Sequence, residues 1–571
     1  IDKTAPVIAV SYDNNSADAT YTDIYKADRT ATVTITERNF NASDVKVKMT
    51  NTDGAVPALS EWTKHADNNN PDATYYTAQV RYSADGDYTF DISYADRAKN
   101  SAAKFAQHKF TIDKTVPTVS VSYDNASAIN GNYYKADRVA TIAITEHNFD
   151  SSRVRIIGTA TDNGKVVTFP AASGWSDNGD VHTATVSYSA DAKYSFDIEF
   201  TDKAGNVMAN YAADEFYVDK TAPTLTISGV ADKSANNGTV APVITVSDTN
   251  FSSKSVTYKL TGVNNGTVTY EASVTDTTNG QKITFADFEK AQKVDDIYTL
   301  TVASTDMAGN ETTASITFSV NRFGSVYDIS AMDKTNGKYL KSEDDVVITE
   351  TNVDSLNKSD TKVKLIKNGT PTDLEEGKDY SVEETGGNGK WKQYKYKINK
   401  SLFTDDGKYS VSVYTVDAAG NVNENIAENK KAEISFGVDK TNPVVVPIDF
   451  ESGSQYPVTT KTVSVEIKDN LVLDNVKIYL NDTEVKYNNE GESYTFDIPE
   501  KNEKQNVKII ATDAAGNELA LTVDNFLVTS NVFVRWFNNT PLFIGSIAGI
   551  VVIIGAVIVL VVLKRRKKES E

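Results

Sequence analysis

A short phrase that recurs along the chain constrains the fold more than any other feature of this sequence. The letters "IDKTAP" begin at Ile1, and close variants follow at Ile112, Val218 and Val438. A second phrase, D-x-A-G-N with one variant, begins at Asp96, Asp202, Asp306, Asp417 and Asp513. Two motifs that return together at domain-sized intervals are typical of a tandem array. The sequence therefore predicts five copies of one domain.

The segments between these phrases alternate apolar and polar residues. A Tyr stands eight residues before the motif Asp in four copies, at Tyr88, Tyr194, Tyr298 and Tyr409. Alternating runs such as "VTITERNF" and "TAQVRY" are separated by Gly, Asn and Asp, as expected for half-buried strands joined by turns. Each unit holds several such strands and no convincing amphipathic helix. The predicted fold class is all-β, with five tandem antiparallel sandwiches of the immunoglobulin type.

The fourth unit contains a segment that resembles the first phrase but lies at a different spacing, "DKTNG" at Asp333. Asp219 lies 29 residues before Asp248, and the same distance before Glu350 leads to Asn321. We therefore place the fourth junction at Asn321 and treat Asp333 as a loop residue. The predicted units are 1–112, 113–218, 219–320, 321–438 and 439–528, followed by a stem at 529–540.

The C-terminal segment has the composition of a membrane span. Residues 541–563 are 23 residues without a charge, which as a helix extend roughly 34 Å, enough to cross a bilayer. Trp536 and Phe537 precede it as interfacial residues, and the basic run "KRRKK" follows within 564–571. The positive-inside rule then predicts a single-pass membrane protein with extracellular repeats and a cytoplasmic C-terminus.

Composition argues against several classes of function. The chain has no Cys, and its formal net charge of -20 disfavours nucleic acid as a partner. The four His do not recur in register, and phosphate-binding Gly loops and hydrolase motifs are absent from the sequence. We therefore predict that the chain is not an enzyme.

The two recurring phrases resemble those of bacterial immunoglobulin-like repeats, the modules of large surface adhesins and modular extracellular proteins. The resemblance covers residues 1–528. The segment "DGDYTF", with Asp85 three residues before Tyr88, is also similar to the tyrosine corner of immunoglobulin domains. Unit five has Gln505 at the Tyr position, so no such corner is expected there.

The C-terminal segment resembles a Gram-positive wall-sorting signal, but no L-P-x-T-G precedes it, only "NNTPLF". We therefore expect retention in the membrane rather than sortase transfer. Since the chain opens within a junction phrase, we also expect a further region before Ile1. Whether Lys–Asn crosslinks replace disulfides is left open.

Three acids in each of four units are expected to meet at a joint, because the junction and two loops lie at one end of such a sandwich. The predicted sets are Asp2, Glu37 and Asp96; Asp113, Glu146 and Asp202; Asp219, Asp248 and Asp306; and Asp439, Asp469 and Asp513. Clustered carboxylates repel one another unless a cation intervenes, and hard oxygen ligands suit Ca²⁺.

The alternative needs no metal: the Asp of D-x-A-G-N caps its own turn, and the junction Pro stiffens a linker. Unit four has Asn321 in place of the junction Asp, so we expect it to bind calcium less well and to act as a hinge.

The expected function is a membrane-anchored bacterial stalk or adhesin that projects a distal N-terminal region through the cell wall. Its partner would be a protein or glycan of a host or neighbouring cell. One alternative is a spacer and anchor for an extracellular enzyme such as a glycan hydrolase. Another is glycan binding by the repeats, through the rings of Trp62, Trp175 and Trp391; packing within the protein is the competing interpretation of these Trp.

Overall fold

The computed structural model describes residues 1–18 and 20–568 as five β-sandwiches followed by two helices. Each sandwich encloses its own hydrophobic core, built from the inward-facing residues of two sheets. In the strand Arg29–Thr36, for example, Ala31, Val33 and Ile35 are buried and the residues between them are partly exposed. The alternation in the sequence therefore predicts the buried face correctly.

Unit one pairs its strands in the sheet orders β1-β3-β6-β5 and β2-β8-β7-β4. The strands are β1 Val7–Tyr12, β2 Ile24–Tyr25, β3 Arg29–Thr36, β4 Lys46–Asn51, β5 Thr63–His65, β6 Tyr75–Tyr82, β7 Gly86–Ser93 and β8 His108–Ile112. Unit two repeats this pattern with β9 Thr118–Tyr123, β10 Tyr133–Tyr134, β11 Arg138–Thr145, β12 Arg155–Asp162, β13 Lys165–Val166, β14 Ser176–Asn178, β15 Val181–Tyr188, β16 Ala192–Glu199 and β17 Asp214–Val218.

Units three and four keep the two-sheet plan. Unit three contains β18 Thr224–Ser228, β19 Val243–Ser247, β20 Thr257–Gly262, β21 Gly266–Val268, β22 Ala272–Thr277, β23 Gly280–Phe285, β24 Asp296–Thr305 and β25 Glu311–Val320. Unit four contains β26 Val326–Asp328, β27 Tyr339–Leu340, β28 Val346–Asn352, β29 Lys362–Lys367, β30 Thr370–Asp373, β31 Tyr380–Gly386, β32 Lys392–Ile398, β33 Gly407–Val416, β34 Val422–Glu424 and β35 Ile434–Val438.

Unit five completes the array. It contains β36 Val444–Pro447, β37 Gln455–Tyr456, β38 Thr460–Lys468, β39 Leu473–Leu480, β40 Thr483–Glu484, β41 Asn488–Glu490, β42 Ser493–Pro499, β43 Gln505–Asp513 and β44 Glu518–Val528. The sheets are antiparallel except that a two-residue strand pairs in parallel with the last strand of units one, two, four and five. The unit limits given above stay predictions from spacing.

The tyrosine corner is present in four units, as predicted. The Tyr88 hydroxyl donates to the Ala84 carbonyl at 2.8 Å. Tyr194, Tyr298 and Tyr409 donate in the same way, each to the carbonyl four residues upstream. In unit five Gln505 takes this position and its Nε2 donates to the Pro499 carbonyl at 3.2 Å.

Two helices follow unit five, α1 at Val532–Asn538 and α2 at Thr540–Lys568. The most apolar 18-residue window within residues 540–567 of α2 has a mean hydropathy of 3.2 and is not buried in the protein, so α2 is long and apolar enough to cross a membrane. The predicted stem at 529–540 is largely helical, and residues 569–571 of the predicted basic tail lie outside the described residues.

Candidate metal centres

The D-x-A-G-N motif folds into a tight turn that holds the junction between two units. In unit two, Asp202 Oδ1 accepts a hydrogen bond from the Asn206 backbone N–H at 2.8 Å, and Oδ2 accepts one from Asn206 Nδ2 at 2.9 Å. The same amide donates to the Asp113 carbonyl at 3.0 Å. Gly205 has φ +88°, a conformation that favours glycine. The motif Asp therefore caps its own turn.

This arrangement recurs in every unit. An Asn side chain bridges the motif Asp and the junction carbonyl in the sets Asp96, Asn100 and Asp2; Asp306, Asn310 and Asp219; Asp417, Asn421 and Asn321; and Asp513, Asn517 and Asp439. The turn therefore has a structural role of its own, whether or not a metal binds beside it.

The three predicted acids of unit two lie together at the joint with unit one. Asp113, Glu146 and Asp202 each offer a carboxylate oxygen, and these oxygens lie within 4.8 Å of one another. The three residues are 4%, 3% and 0% exposed. Within the described chain, no Lys or Arg forms an ion pair with any of them. Three buried carboxylates therefore meet without a protein cation.

Amide groups satisfy only part of this cluster. Glu146 Oε1 accepts from the Asn148 backbone N–H, and Asp113 Oδ2 accepts from Asn148 Nδ2, both at 2.7 Å. Glu146 Oε2 is buried and has no hydrogen-bond partner. Burial, together with the charges of Asp113 and Asp202, raises the pKa of Glu146 to about 8. The unpartnered oxygen of Glu146 can therefore bind either a proton or a cation.

The acids predicted in units one, three and five also come together. Their carboxylate oxygens lie within 4.8 Å of one another in each set: Asp2, Glu37 and Asp96; Asp219, Asp248 and Asp306; and Asp439, Asp469 and Asp513. Burial is the main cause that raises the pKa of Asp248 and of Asp439 to about 6. In unit five Asp439 Oδ2 and Asp469 Oδ1 are buried without a partner.

The donor set of these clusters fits a hard divalent cation. Carboxylate oxygens are the ligands that Ca²⁺ prefers, and the unpartnered oxygens of Glu146, Asp439 and Asp469 are free to bind one. The His residues are engaged elsewhere: for example, His182 Nε2 bonds to the Glu146 carbonyl, and His147 Nδ1 bonds to Asp180. Nitrogen and sulfur ligands of the kind that zinc prefers are not part of the clusters.

Unit four has amides where the other units have acids. Asn321 Nδ2 lies 2.9 Å from Asn352 Oδ1, 2.9 Å from Asp354 Oδ2 and 3.0 Å from Asp417 Oδ2. Its Oδ1 accepts from the Gly324 N–H at 3.1 Å, which fixes the orientation of the amide. One NH₂ group is therefore surrounded by three side-chain oxygens, in the role that a cation would have in the other units.

The structure corrects the sequence alignment in unit four. Alignment with the strand phrase of the other units selected Glu350, but its side chain points into the core, where hydroxyl groups of Ser325, Tyr396 and Thr415 donate to it. The residue at the joint is Asn352, whose Oδ1 accepts from the Asp354 N–H just as Glu146 Oε1 accepts from that of Asn148. The alignment is out by two residues because β28 continues to Asn352. Asp333 is exposed, after a turn, as expected of a loop residue.

Further contacts hold units three and four together. Arg322 Nε donates to the Gly238 carbonyl at 3.0 Å, and Trp391 Nε1 donates to Asp296 Oδ1 of unit three at 2.8 Å. Lys430 Nζ donates to the carbonyls of Phe323 and Ser325, in the junction segment that lacks the usual Pro. Trp391 is thus an inter-unit contact, while Trp62 and Trp175 pack on phenylalanine rings of their own units.

The Lys and Thr of the junction phrase attach it to the preceding unit. Lys220 Nζ donates to Asp137 Oδ1 at 2.7 Å and to the Ser189 carbonyl at 2.6 Å, and Thr221 Oγ1 donates to Asp191 Oδ2 at 2.6 Å. Pro223 is buried at the start of the next unit.

Sequence reasoning missed two groups at the joints. One is the junction contact of the Asp three residues before the corner Tyr, which the sequence assigns to the tyrosine corner alone, whereas Asp191 binds the junction. The other is the Asn two residues after the strand acid, such as Asn148, which donates to the junction Asp. The recurrence of this Asn in "ERNF", "EHNF" and "DTNF" is the signal that could have revealed it.

The family comparison agrees with the fold. Residues 72–175 and 182–322 match the family model described as bacterial Ig-like domain (group 3). Those segments belong to that family, and the two-sheet plan with its joint motifs continues through the other units. The chain is therefore a tandem array of immunoglobulin-like sandwiches, in which residues 72–175 and 182–322 match the bacterial family. Repeats of this class are typical of extracellular and adhesion proteins.

No curated protein matches the chain. Among solved structures, it is similar to the tetra-tandem repeat in the extending region of a large adhesion protein, at 17% identity over 76% of this chain and 100% of that one, with a TM-score of 0.32. It is also similar to the N-terminal eight Ig domains of Down syndrome cell adhesion molecule, at 12% identity over 92% of this chain and 60% of that one, with a TM-score of 0.26. These low values carry no argument about function.

Proposed function

We propose that the chain is a membrane-anchored surface stalk or adhesin of a bacterial cell, whose joints are stiffened by calcium. The observation that carries this proposal is the set of three facing carboxylates at the starts of four units, with buried oxygens left unpartnered in two of them. The repeats would hold a binding region beyond the cell wall, against a protein or glycan of another surface. We propose a structural rather than a catalytic role.

The clusters of units two, three and five each lie between two units of the chain, which is why a cation there would stiffen the array. Asp113 follows β8, and its N–H donates to the Tyr25 carbonyl of unit one at 2.9 Å. Glu146 and Asp202 belong to unit two. Calcium held by these three residues would supply the positive charge that balances them. Without that charge, the carboxylates repel one another and favour separation of the units.

The anchor in this proposal is α2. Its apolar span is followed by Lys564, Arg565, Arg566 and Lys567, and basic residues next to a span favour the cytoplasmic side. The five units would then be extracellular, in a cell envelope of the Gram-positive type.

Calorimetry on the full chain in lipid nanodiscs tests the proposal. After treatment with EGTA, we expect CaCl₂ to bind at the clusters of units one, two, three and five, and electron micrographs to show straighter particles. The matched variant combines Glu146→Gln, Asp248→Asn and Asp439→Asn and should bind only at unit one. Equal heats from this variant and the parent, or no uptake of calcium by the parent, would refute calcium stiffening.

A further inference from the structure

The short helix α1 exposes large apolar side chains directly before α2. Val532, Phe533 and Phe537 are 64%, 81% and 64% exposed. Asn531 caps the helix through its Oδ1, which accepts from the Phe533 N–H at 3.0 Å. Phenylalanine rings exposed to this extent are unfavourable in water, so this surface needs a partner.

Unit five holds α1 through several hydrogen bonds. Thr529 is fully buried at the end of the last sandwich, and Arg535 Nη1 donates to its carbonyl at 3.0 Å. The Ser530 N–H and hydroxyl both donate to Glu500 Oε2, at 3.0 and 2.7 Å. The chain therefore passes from β44 into α1 with its connecting residues anchored to unit five.

Contacts with α2 fix the other end of α1. Trp536 Nε1 donates to Ser546 Oγ at 3.1 Å. The Phe543 ring lies 5.1 Å from the Trp536 ring and 5.0 Å from the Phe537 ring, both edge to face. These contacts hold α1 beside the first turns of α2, at the level where a spanning helix would leave the bilayer.

The charge of this region suits a lipid surface. From Thr529 to Phe543 the sequence contains one charged residue, Arg535, and its guanidinium donates back to the carbonyls of Thr529 and Ser530. Amphipathic segments with aromatic residues settle about 5–10 Å into the boundary between headgroups and acyl chains. Trp is enriched at the same level of membrane proteins.

We infer that α1 lies in the outer surface of the membrane, with Phe533 and Phe537 in contact with lipid. This inference rests on the proposed anchoring by α2. Because α1 is attached to both unit five and α2, unit five would stand directly on the bilayer at a fixed angle, and calcium at the joints would set the direction of the remaining units from that base.

Single-cysteine labelling tests this inference cleanly, because the chain has no Cys of its own. Phe533→Cys, Ile554→Cys within α2 and Lys477→Cys on unit five would each carry an environment-sensitive fluorophore in nanodiscs of phosphatidylcholine. Spin-labelled lipids should quench the label at 533 about twofold or more, quench the label at 554 when the spin lies deep, and leave the label at 477 unchanged.

The outcomes separate this inference from the anchoring itself. Quenching at 554 without quenching at 533 would overturn the lipid contact of α1 while α2 remains an anchor. Labels at 533 and 554 that both behave as in water would overturn both. A label at 533 that is shielded but not quenched by lipid, in discs with two chains, would assign the surface to a second copy instead.

Discussion

At the joints before units two and four, side-chain oxygens are buried close together, but they are compensated by different groups. Before unit two, Asp113, Glu146 and Asp202 face one another, and Asn148 donates to the junction Asp. Before unit four, the donor and the acceptor have exchanged places: Asn321 at the junction donates to Asp354 in the loop. The buried carboxylates before unit two have no positively charged partner in the protein, whereas the side-chain oxygens before unit four accept hydrogen bonds from a neutral amide.

This difference changes the interpretation of unit four, in which Asn321 replaces the junction Asp. The sequence predicts that unit four binds calcium less well and acts as a hinge. The hydrogen bonds of Asn321, together with those of Arg322, Trp391 and Lys430, favour a joint that stays fixed without metal. On removal of calcium, we therefore expect units three and four to move as one body.

The largest effect is expected from Asn321→Ala. The change removes the NH₂ group that serves three oxygens and leaves Asp354 and Asp417 facing each other in a buried site. Loss of a partner from a buried polar network costs about 3–5 kcal/mol. Chemical denaturation, with hydrogen exchange to assign the transition to unit four, would measure the loss. Thr372→Ala, on an exposed strand of the same unit, is the control, and a similar small loss in both variants would contradict the role of Asn321.

Calcium dependence should be transferable to unit four. The combined variant Asn321→Asp, Asn352→Asp and Asp354→Asn restores the pattern of acids and amide found in unit two. Without metal it should be less stable than the parent. At a calcium concentration a hundredfold above the Kd of the new site, binding should raise the free energy of unfolding by about 2.7 kcal/mol.

Calorimetry would count the added site in that variant, and melting with calcium or EGTA would measure the stabilisation. Asp354→Asn alone is the matched control, since it removes an acid without building a trio. If the variant gains no calcium site, acids at these positions are not sufficient for calcium binding.

The response of unit two to pH follows from the raised pKa of Glu146. Folded unit two holds this proton up to about pH 8, whereas the unfolded chain releases it near the ordinary value of 4.5. The contribution of Glu146 to metal-free stability is thus greatest below the unfolded value and falls as pH rises toward 8. Since calcium displaces the proton, its apparent Kd should fall by about tenfold per pH unit well below pH 8 and less steeply as pH approaches 8.

Calcium titrations at pH 6, 7 and 8 would detect this dependence, with Glu146→Gln as the variant that lacks the titrating group. A Kd that does not change with pH in the parent would contradict the prediction, and the same slope in the variant would assign the pH dependence to another residue.

The smallest effect is expected from the Lys of the junction phrase. Lys220→Met removes an ion pair with Asp137 in which the two side chains are 39% and 60% exposed. Exposed pairs contribute about 0–1 kcal/mol, so the melting temperature of units two and three should change little. A loss as large as that of Asn321→Ala would mean that the junction Lys, rather than the buried polar groups, fixes the joint.

The fold was largely predictable from the sequence. Alternation of apolar residues predicts the buried faces, because a strand turns successive side chains to opposite sides. The resemblance of the segment "DGDYTF" to immunoglobulin domains predicts the tyrosine corner at Tyr88, and the interval from Tyr88 to Asp96 predicts a strand that ends in a turn. The twelve acids of the four clusters were also predictable, since the end of a sandwich at which the junction and the loops meet follows from its topology.

The tertiary structure decided which atoms meet and which are satisfied. The sequence could not show that Asn352, rather than Glu350, stands at the joint end of β28, because the aligned letters do not reveal where that strand ends. Nor could it show that the exchange of Asp and Asn at positions 321 and 354 preserves a hydrogen bond. Repeats and periodicity are local features that can be recognised directly in the order of residues. The pairing of buried donors and acceptors depends instead on side chains that meet only after the chain has folded.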